Sequence, residues 1–389
     1  MEKARLTMAD KEWRYNRVRK FLQDKNLDAI FVSGDGHREG YLRYLTGQYF
    51  RVGYGVAYAL FPVSGEPVLF LSTPEREYTM IAYQTFLSDH WITNTKVVSI
   101  ENIAKVFEEN KLTMASVGVT LDNMNVTHFY QLKERLPKTN FIDISWDYTC
   151  LRGAKSEGEI SLARESARIV DLCWEKLAAE MKPGMYEHEV AALMETTMWQ
   201  SHTDKTFNLT CSAKKDITRP CWPSAHSPNV IKKGDLFLAE ITACFCGYWT
   251  QKVSHYSFGK LDLLAQELFT VCEFALQKGA QLIHPGANAK DIANAIDRTI
   301  QDAGFLSSSQ FPTGPHGHLM GLEIDEGTFS PRKDLILETG MVMAIHPGAA
   351  APGWVVGQPG IFGPASTYVV TSDGVEKLNK TQDTVLGID

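Results

Sequence analysis

Two strand-like runs, residues 235–243 and 248–258, are joined around Cys246-Gly247 and bracketed by long amphipathic helices. This arrangement limits what the chain can fold into. Upstream, residues 157–182 carry Ile160, Ala163, Ala167, Val170 and Trp174 at steps of three and four, the period of one helix face. Pro183-Gly184 stops that helix, and residues 187–200 begin another. Downstream come a helix over 261–278, a break at His284-Pro285-Gly286, and a helix over 289–304. Strands at 341–345 and 367–371 follow. Helices combined with long antiparallel strands predict an α+β domain over 151–389. Inside the first strand, Glu240 sits within LFLAEITACF, and an ionisable group in an apolar strand is costly unless it has a partner or a task.

Residues 1–150 read differently. A helix over 10–26, strands at 28–34, 56–61, 67–71 and 115–119, and a turn at Ser64-Gly65-Glu66 predict a smaller α/β domain. With 44% hydrophobic and 22% charged residues, the chain can bury real cores. A net charge of −7 without a basic run argues against nucleic acid or an anionic membrane as partner. The opening residues are charged, and no apolar stretch reaches the roughly 18–20 residues that span a bilayer. The expectation is a soluble cytoplasmic protein. Seven cysteines without a C-x-x-C pair read as reduced, mostly buried thiols.

Six segments, in order, resemble the creatinase–prolidase superfamily. They are Arg152-Gly153-Ala154-Lys155-Ser156 with Glu159-Ile160; Pro183-Gly184-Met185-Tyr186-Glu187; and Ser224-Ala225-His226-Ser227-Pro228 with Lys233-Gly234-Asp235-Leu236. The others are Gly317-His318-Leu319-Met320-Gly321-Leu322-Glu323, Gly340-Met341-Val342-Met343-Ala344-Ile345-His346-Pro347-Gly348, and Val370-Thr371-Ser372-Asp373-Gly374-Val375-Glu376-Lys377-Leu378. The resemblance covers nearly all of the second part. It implies a pita-bread catalytic domain over 151–389, a creatinase-type N-terminal domain over 1–150, and a homodimer. Metal-dependent members of that superfamily use Asp, Asp, His, Glu and Glu as ligands, the two aspartates eleven apart on facing strands. Here those places read Glu240, Gln251, His318, His346 and, counting back from Val370-Thr371, Ala365.

Two dications a few ångströms apart need bridging carboxylates to offset their repulsion. Gln251 is neutral and Ala365 has no ligand atom, so a two-metal aminopeptidase is not expected. Two readings stay open. Glu240, His318 and His346 are a two-histidine, one-carboxylate set suited to one Fe, Zn or Mn ion. Alternatively the pocket works without metal, like creatinase, with His226 as the proton shuttle because an unperturbed imidazole titrates near neutrality. Glu240 would then orient His226 or hold a cationic group of the substrate, with His318 and His346 in the same pocket. Carboxylates that creatinase carries are Val253 and His346 here, so creatine is not the expected substrate. The expected reaction is hydrolysis of a C–N bond (amide, amidine or lactam) in a small molecule. A lyase or hydrolase using a single divalent metal held by Glu240, His318 and His346, and a non-catalytic binding protein, are the alternatives.

Further residues enter as substrate contacts. Arg51, within Gly47-Gln48-Tyr49-Phe50-Arg51-Val52-Gly53-Tyr54-Gly55, resembles the creatinase stretch that reaches the partner subunit's site, and can take a carboxylate by a bidentate pair. Trp249 is either a wall of the pocket or a core tryptophan. Gln251 can hydrogen-bond a substrate, and Asp325-Glu326 stand where the superfamily has His-Glu. His316 reads as a loop spacer and His255 as lying beyond the hairpin's polar centre.

Overall fold

A computed structural model describes residues 6–47, 55–72, 91–213, 228–310, 315–329, 334–353 and 360–388. Arg51 and His226 lie outside the described residues. The chain forms two compact units, Met1–Arg152 with Ser156–Glu159, and Gly153–Lys155 with Ile160–Asp389. No helix among the described residues is long and apolar enough to cross a membrane.

The first unit is built on strands β1 (Ala29–Gly34), β2 (Ala57–Pro62), β3 (Val68–Leu71), β4 (Thr95–Val97), β5 (Ser116–Val119) and β6 (Asn140–Asp143). Their order in one sheet is β4-β3-β2-β1-β5-β6. β1 pairs antiparallel with β2 and parallel with β5, so it lies in the middle and all six of its residues are buried. Helices α1 (Met8–Asp24), α2 (Gly40–Thr46), α3 (Ile100–Glu109), α4 (Val126–Arg135) and α5 (Ser145–Gly153) accompany the sheet. Phe31, Tyr58, Phe70, Phe107, Val117 and Leu136 share its core. Thr7 starts α1 through a capping box with Asp10, whose Oδ2 accepts the Thr7 N–H at 2.7 Å.

The second unit holds helices α6 (Glu157–Glu180), α7 (Glu187–Gln200), α8 (Leu263–Gln281) and α9 (Ala289–Asp302). Strand β7 (Lys205–Thr206) and strand β8 (Leu209–Ala213) both pair with β9 (Leu236–Phe245), which pairs with β10 (Tyr248–Ser257). A two-residue turn, Cys246 at φ 48° and Gly247 at φ 89°, joins β9 to β10. Positive φ at both positions is what a tight hairpin whose twist matches its strands requires. Strands β11 (Leu306–Ser307), β12 (Gly317–Leu319), β13 (Thr328–Phe329), β14 (Val342–Ile345), β15 (Gly348–Ala350), β16 (Gly360–Phe362), β17 (Ser366–Val370), β18 (Val375–Lys377) and β19 (Leu386–Gly387) complete the unit. One sheet runs β13-β12-β14-β17-β18, and β19 joins the edge of β10. An antiparallel bridge between Val253 and Ala365 brings the hairpin onto the segment leading into β17.

Candidate active site

The hairpin register explains the spacing of eleven. Glu240 lies opposite Val253 and Gln251 lies opposite Thr242. Residues directly opposite in an antiparallel pair share a face, and so do residues two apart on a strand. Glu240, Thr242, Gln251 and Val253 therefore share one face, with Glu240 and Gln251 as diagonal neighbours. Burial pushes the Glu240 carboxyl up to about 7. At neutral pH it exchanges its proton readily, which suits a general acid or base.

Gln251 is held through its backbone. Its N–H donates to Thr367 Oγ1 at 3.0 Å, and its carbonyl accepts from the same hydroxyl at 2.8 Å. The side chain is 1% exposed, and its Oε1 has no hydrogen-bond partner among the described residues. Thr242 Oγ1, on the facing residue, is likewise buried without one. Each such atom costs about 1–3 kcal/mol when left unsatisfied, so a pair on one face marks a polar site.

The two histidines come from neighbouring strands. His318 sits on β12 opposite Ala344, and His346 directly follows β14. The His346 N–H donates to the His316 carbonyl at 3.0 Å, which continues the ladder by one step. Their rings lie 5.2 Å apart between centroids. Gly317 lets the strands close here, since a Cβ there would fall 2.3 Å from the Ala344 carbonyl oxygen. Burial lowers the pKa of both imidazoles; the charge of Asp325 partly offsets this for His318, and His318 itself adds to it for His346. Both rings are therefore neutral at pH 7 and resist taking up a proton there.

Other expected residues are placed otherwise. Glu326 Oε2 accepts from Lys155 Nζ at 2.7 Å and its Oε1 accepts from the Leu322 N–H at 3.1 Å, with both charged side chains 1% exposed. That carboxylate holds its own loop, which corrects its reading as a substrate contact. Asp325 is exposed, and its Oδ1 accepts from the Gly327 N–H at 2.9 Å. Trp249 packs among Ile160, Ala163, Ala167, Met320 and Val342, which makes it a core tryptophan. The sequence reading passed over Thr242 and Thr367. Thr242 follows Glu240 by two, which places it on the same face; nothing local marks Thr367.

Residues 161–374 match metallopeptidase family M24, and residues 14–152 match the creatinase/prolidase N-terminal domain. The chain belongs to metallopeptidase family M24. A creatinase from a Bacillus species is 23% identical over 97% of this chain and 93% of its own. The Xaa-Pro dipeptidase of Pyrococcus furiosus is 24% identical over 96% of this chain and 99% of its own. The crystal structure of the prolidase from Pyrococcus horikoshii matches with a TM-score of 0.79 at 21% identity, over 96% of this chain and 100% of that one. The α+β class and the pita-bread fold expected from the sequence are therefore those of this chain, and it is a hydrolase of the M24 family.

The residues present do not fit the two metals that the superfamily's ligand set would hold. Ala365 is fully buried and packs with Leu238 and Val253, so an apolar contact stands where a bridging carboxylate is needed. Gln251 supplies no charge. Among the described residues, no three His, Cys, Asp or Glu side chains are grouped so as to hold an ion.

Proposed function

We propose that this chain hydrolyses a C–N bond of a small non-peptide molecule, an amide, amidine or lactam, without a dinuclear metal centre. The apolar contact of Leu238, Val253 and Ala365 carries this reading, because it removes the charge that two metals require. What remains suits proton transfer at neutral pH through Glu240, which titrates at about 7, with the neutral imidazoles of His318 and His346 as polar groups of the pocket. In this reading His226 takes a proton from the attacking water and returns it to the leaving nitrogen. Glu240 and the unpartnered Gln251 Oε1 orient the substrate. The active form is a homodimer, with Arg51 as a contact to a substrate carboxylate.

The test is an assay of X-Pro dipeptides beside a panel of small amides, amidines and lactams, each with manganese or with a chelator. The expected result is no X-Pro cleavage under either condition. Turnover of a panel member should resist the chelator and fall about 100-fold in Glu240→Gln. Manganese-dependent X-Pro hydrolysis would overturn the reading.

The ring contact of His318 and His346 favours a second reading, in which the two imidazoles supply half the ligands of one divalent ion. Elemental analysis of wild type, Glu240→Ala and His346→Ala separates the two. About one metal per chain in wild type, lost in both variants, would support the single-ion site.

A further inference from the structure

Strand β9 is buried along its whole length except at Glu240, the one residue of its ten that solvent partly reaches. An opening therefore ends at that side chain, and the two sides of the opening differ. Leu238, two residues earlier on the same face, meets Val253 and Ala365 in an apolar contact. Thr242, two residues later, lies opposite Gln251. His318, Ala344 and Thr367 stand directly opposite one another across β12, β14 and β17, so they share a face. Thr367 Oγ1 bonds the Gln251 backbone, which turns that face, and His318 with it, towards the hairpin.

The polar side of the opening asks for a particular partner. Gln251 Oε1 and Thr242 Oγ1 are buried with no hydrogen-bond partner among the described residues, a cost that a bound group would relieve. A carboxamide presents an acceptor oxygen and a donor N–H side by side in one plane, without charge. Its complement is a group that carries an N–H and a C=O on one edge. An ordinary peptide unit lacks that edge, because its trans geometry points the two groups in opposite directions. An X-Pro bond has no N–H at all. An amidinium offers donors alone, which leaves the carboxamide N–H facing another N–H. A ring amide does hold its N–H and C=O on one side. Its methylenes also match the apolar contact of Leu238, Val253 and Ala365 across the opening.

We propose that Gln251 determines specificity and that the substrate is a small ring amide, a lactam or cyclic imide, held edge to edge by its carboxamide. The ring N–H donates to Gln251 Oε1, and Gln251 Nε2–H donates to the ring carbonyl, with the Thr242 hydroxyl as the neighbouring polar contact. For the reaction, this rests on the C–N bond reading and narrows it. Water adds its hydroxyl to the ring carbonyl carbon, and the Nε2–H faces the oxygen on which negative charge develops. The ring C–N bond then breaks and the nitrogen takes the proton that the water gave up. A lactam leaves as one open chain with an amine and a carboxylic acid.

The experiment is calorimetric titration of the whole chain, with chelator present, against four probes. They are δ-valerolactam, its N-methyl form, the trans amide N-methylacetamide and the cyclic amidine 2-iminopiperidine. The lactam should bind, and each of the other three should bind about ten-fold more weakly or worse. Gln251→Glu replaces the donor on that edge with a second acceptor and adds a charge. It should reverse the order of lactam and amidine, an inversion that a merely structural glutamine would not give. Near-UV circular dichroism checks that this variant is folded. In the wild type alone, no lactam binding, or equal binding of the lactam and its N-methyl form, would overturn the proposal, as would an unchanged order in folded Gln251→Glu. The C–N bond reading fails by a different sign, manganese-dependent X-Pro hydrolysis, so the two failures are told apart.

Discussion

Burial sets the protonation of the site residues, and burial acts in opposite senses on an acid and a base. Glu240 titrates at about 7 in the folded chain against 4.5 for a free side chain. Between those values the folded chain keeps a proton that the unfolded chain has released, so this group makes stability fall as pH rises. His346 titrates at about 3 against 6.5, so between those values the unfolded chain holds a proton that the folded chain lacks. This group makes stability fall as pH drops. From pH 4.5 to 6.5 the two slopes oppose each other. Relative to wild type, Glu240→Gln should gain about 2 kcal/mol of stability as pH rises through that window, and His346→Asn should lose a similar amount. Urea titrations at pH 4.5, 5.5 and 6.5 read both slopes, and parallel curves for all three proteins would refute the burial argument. Glu240 was legible in the sequence because a charge in an apolar run stands out, and its spacing to Gln251 fixed the shared face. Glu326 was not legible, because its partner Lys155 lies 171 residues away and no local pattern announces it.

The long periodic elements were readable from sequence to within a few residues. The helix read over 187–200 is α7, Glu187–Gln200, and the hairpin strands are Leu236–Phe245 and Tyr248–Ser257. The short helices α2 to α5 were not read. α4 buries only Leu132, so it has almost no apolar period to detect, whereas α3 is short but buries Ile103, Ala104, Val106 and Phe107 behind a Ser99 cap. The C-terminal tail was equally hidden, since its structure depends on distant partners. Asp171 accepts from the Lys380 N–H at 2.6 Å and from Thr381 Oγ1 at 2.5 Å. Asp383 takes Lys252 Nζ at 2.9 Å, Lys377 Nζ at 2.6 Å and Ser366 Oγ at 2.6 Å. Lys252 is fully buried on β10, and burial lowers its pKa against the pull of Asp383. Removing Asp383 would leave a cation buried beside Lys377, a loss worth about 3–5 kcal/mol for a buried pair. Asp383→Ala should therefore lower the urea midpoint strongly, and Lys252→Met in the same chain should recover part of the loss. A single variant as stable as wild type would show that the tail does not need the pair.

At the scale of the whole molecule, metal binding and folding are linked. An ion that binds only the folded state adds RT ln(1 + [L]/Kd), which is about 2.7 kcal/mol at a hundred times Kd. For a unit of this size that raises Tm by several degrees. Such linkage needs ligands held together by the fold, and here the fold holds Leu238, Val253 and Ala365 together instead. Gln251 keeps the position of an acid without the charge, and its backbone is fixed by Thr367. The expected Tm therefore changes by less than about 1 °C between chelator and millimolar manganese. Restoring one carboxylate should not alter this, because Gln251→Asp still faces a strand whose Ala365 offers no ligand and whose Val253 partner is apolar. Differential scanning calorimetry of wild type and Gln251→Asp, each with and without manganese, measures both. A rise of several degrees in the wild type would mean that ligands other than Gln251 and Ala365 hold an ion, and would favour the single-metal reading. A rise only in Gln251→Asp would show that the missing charge, and not the apolar contact, is what keeps metal out.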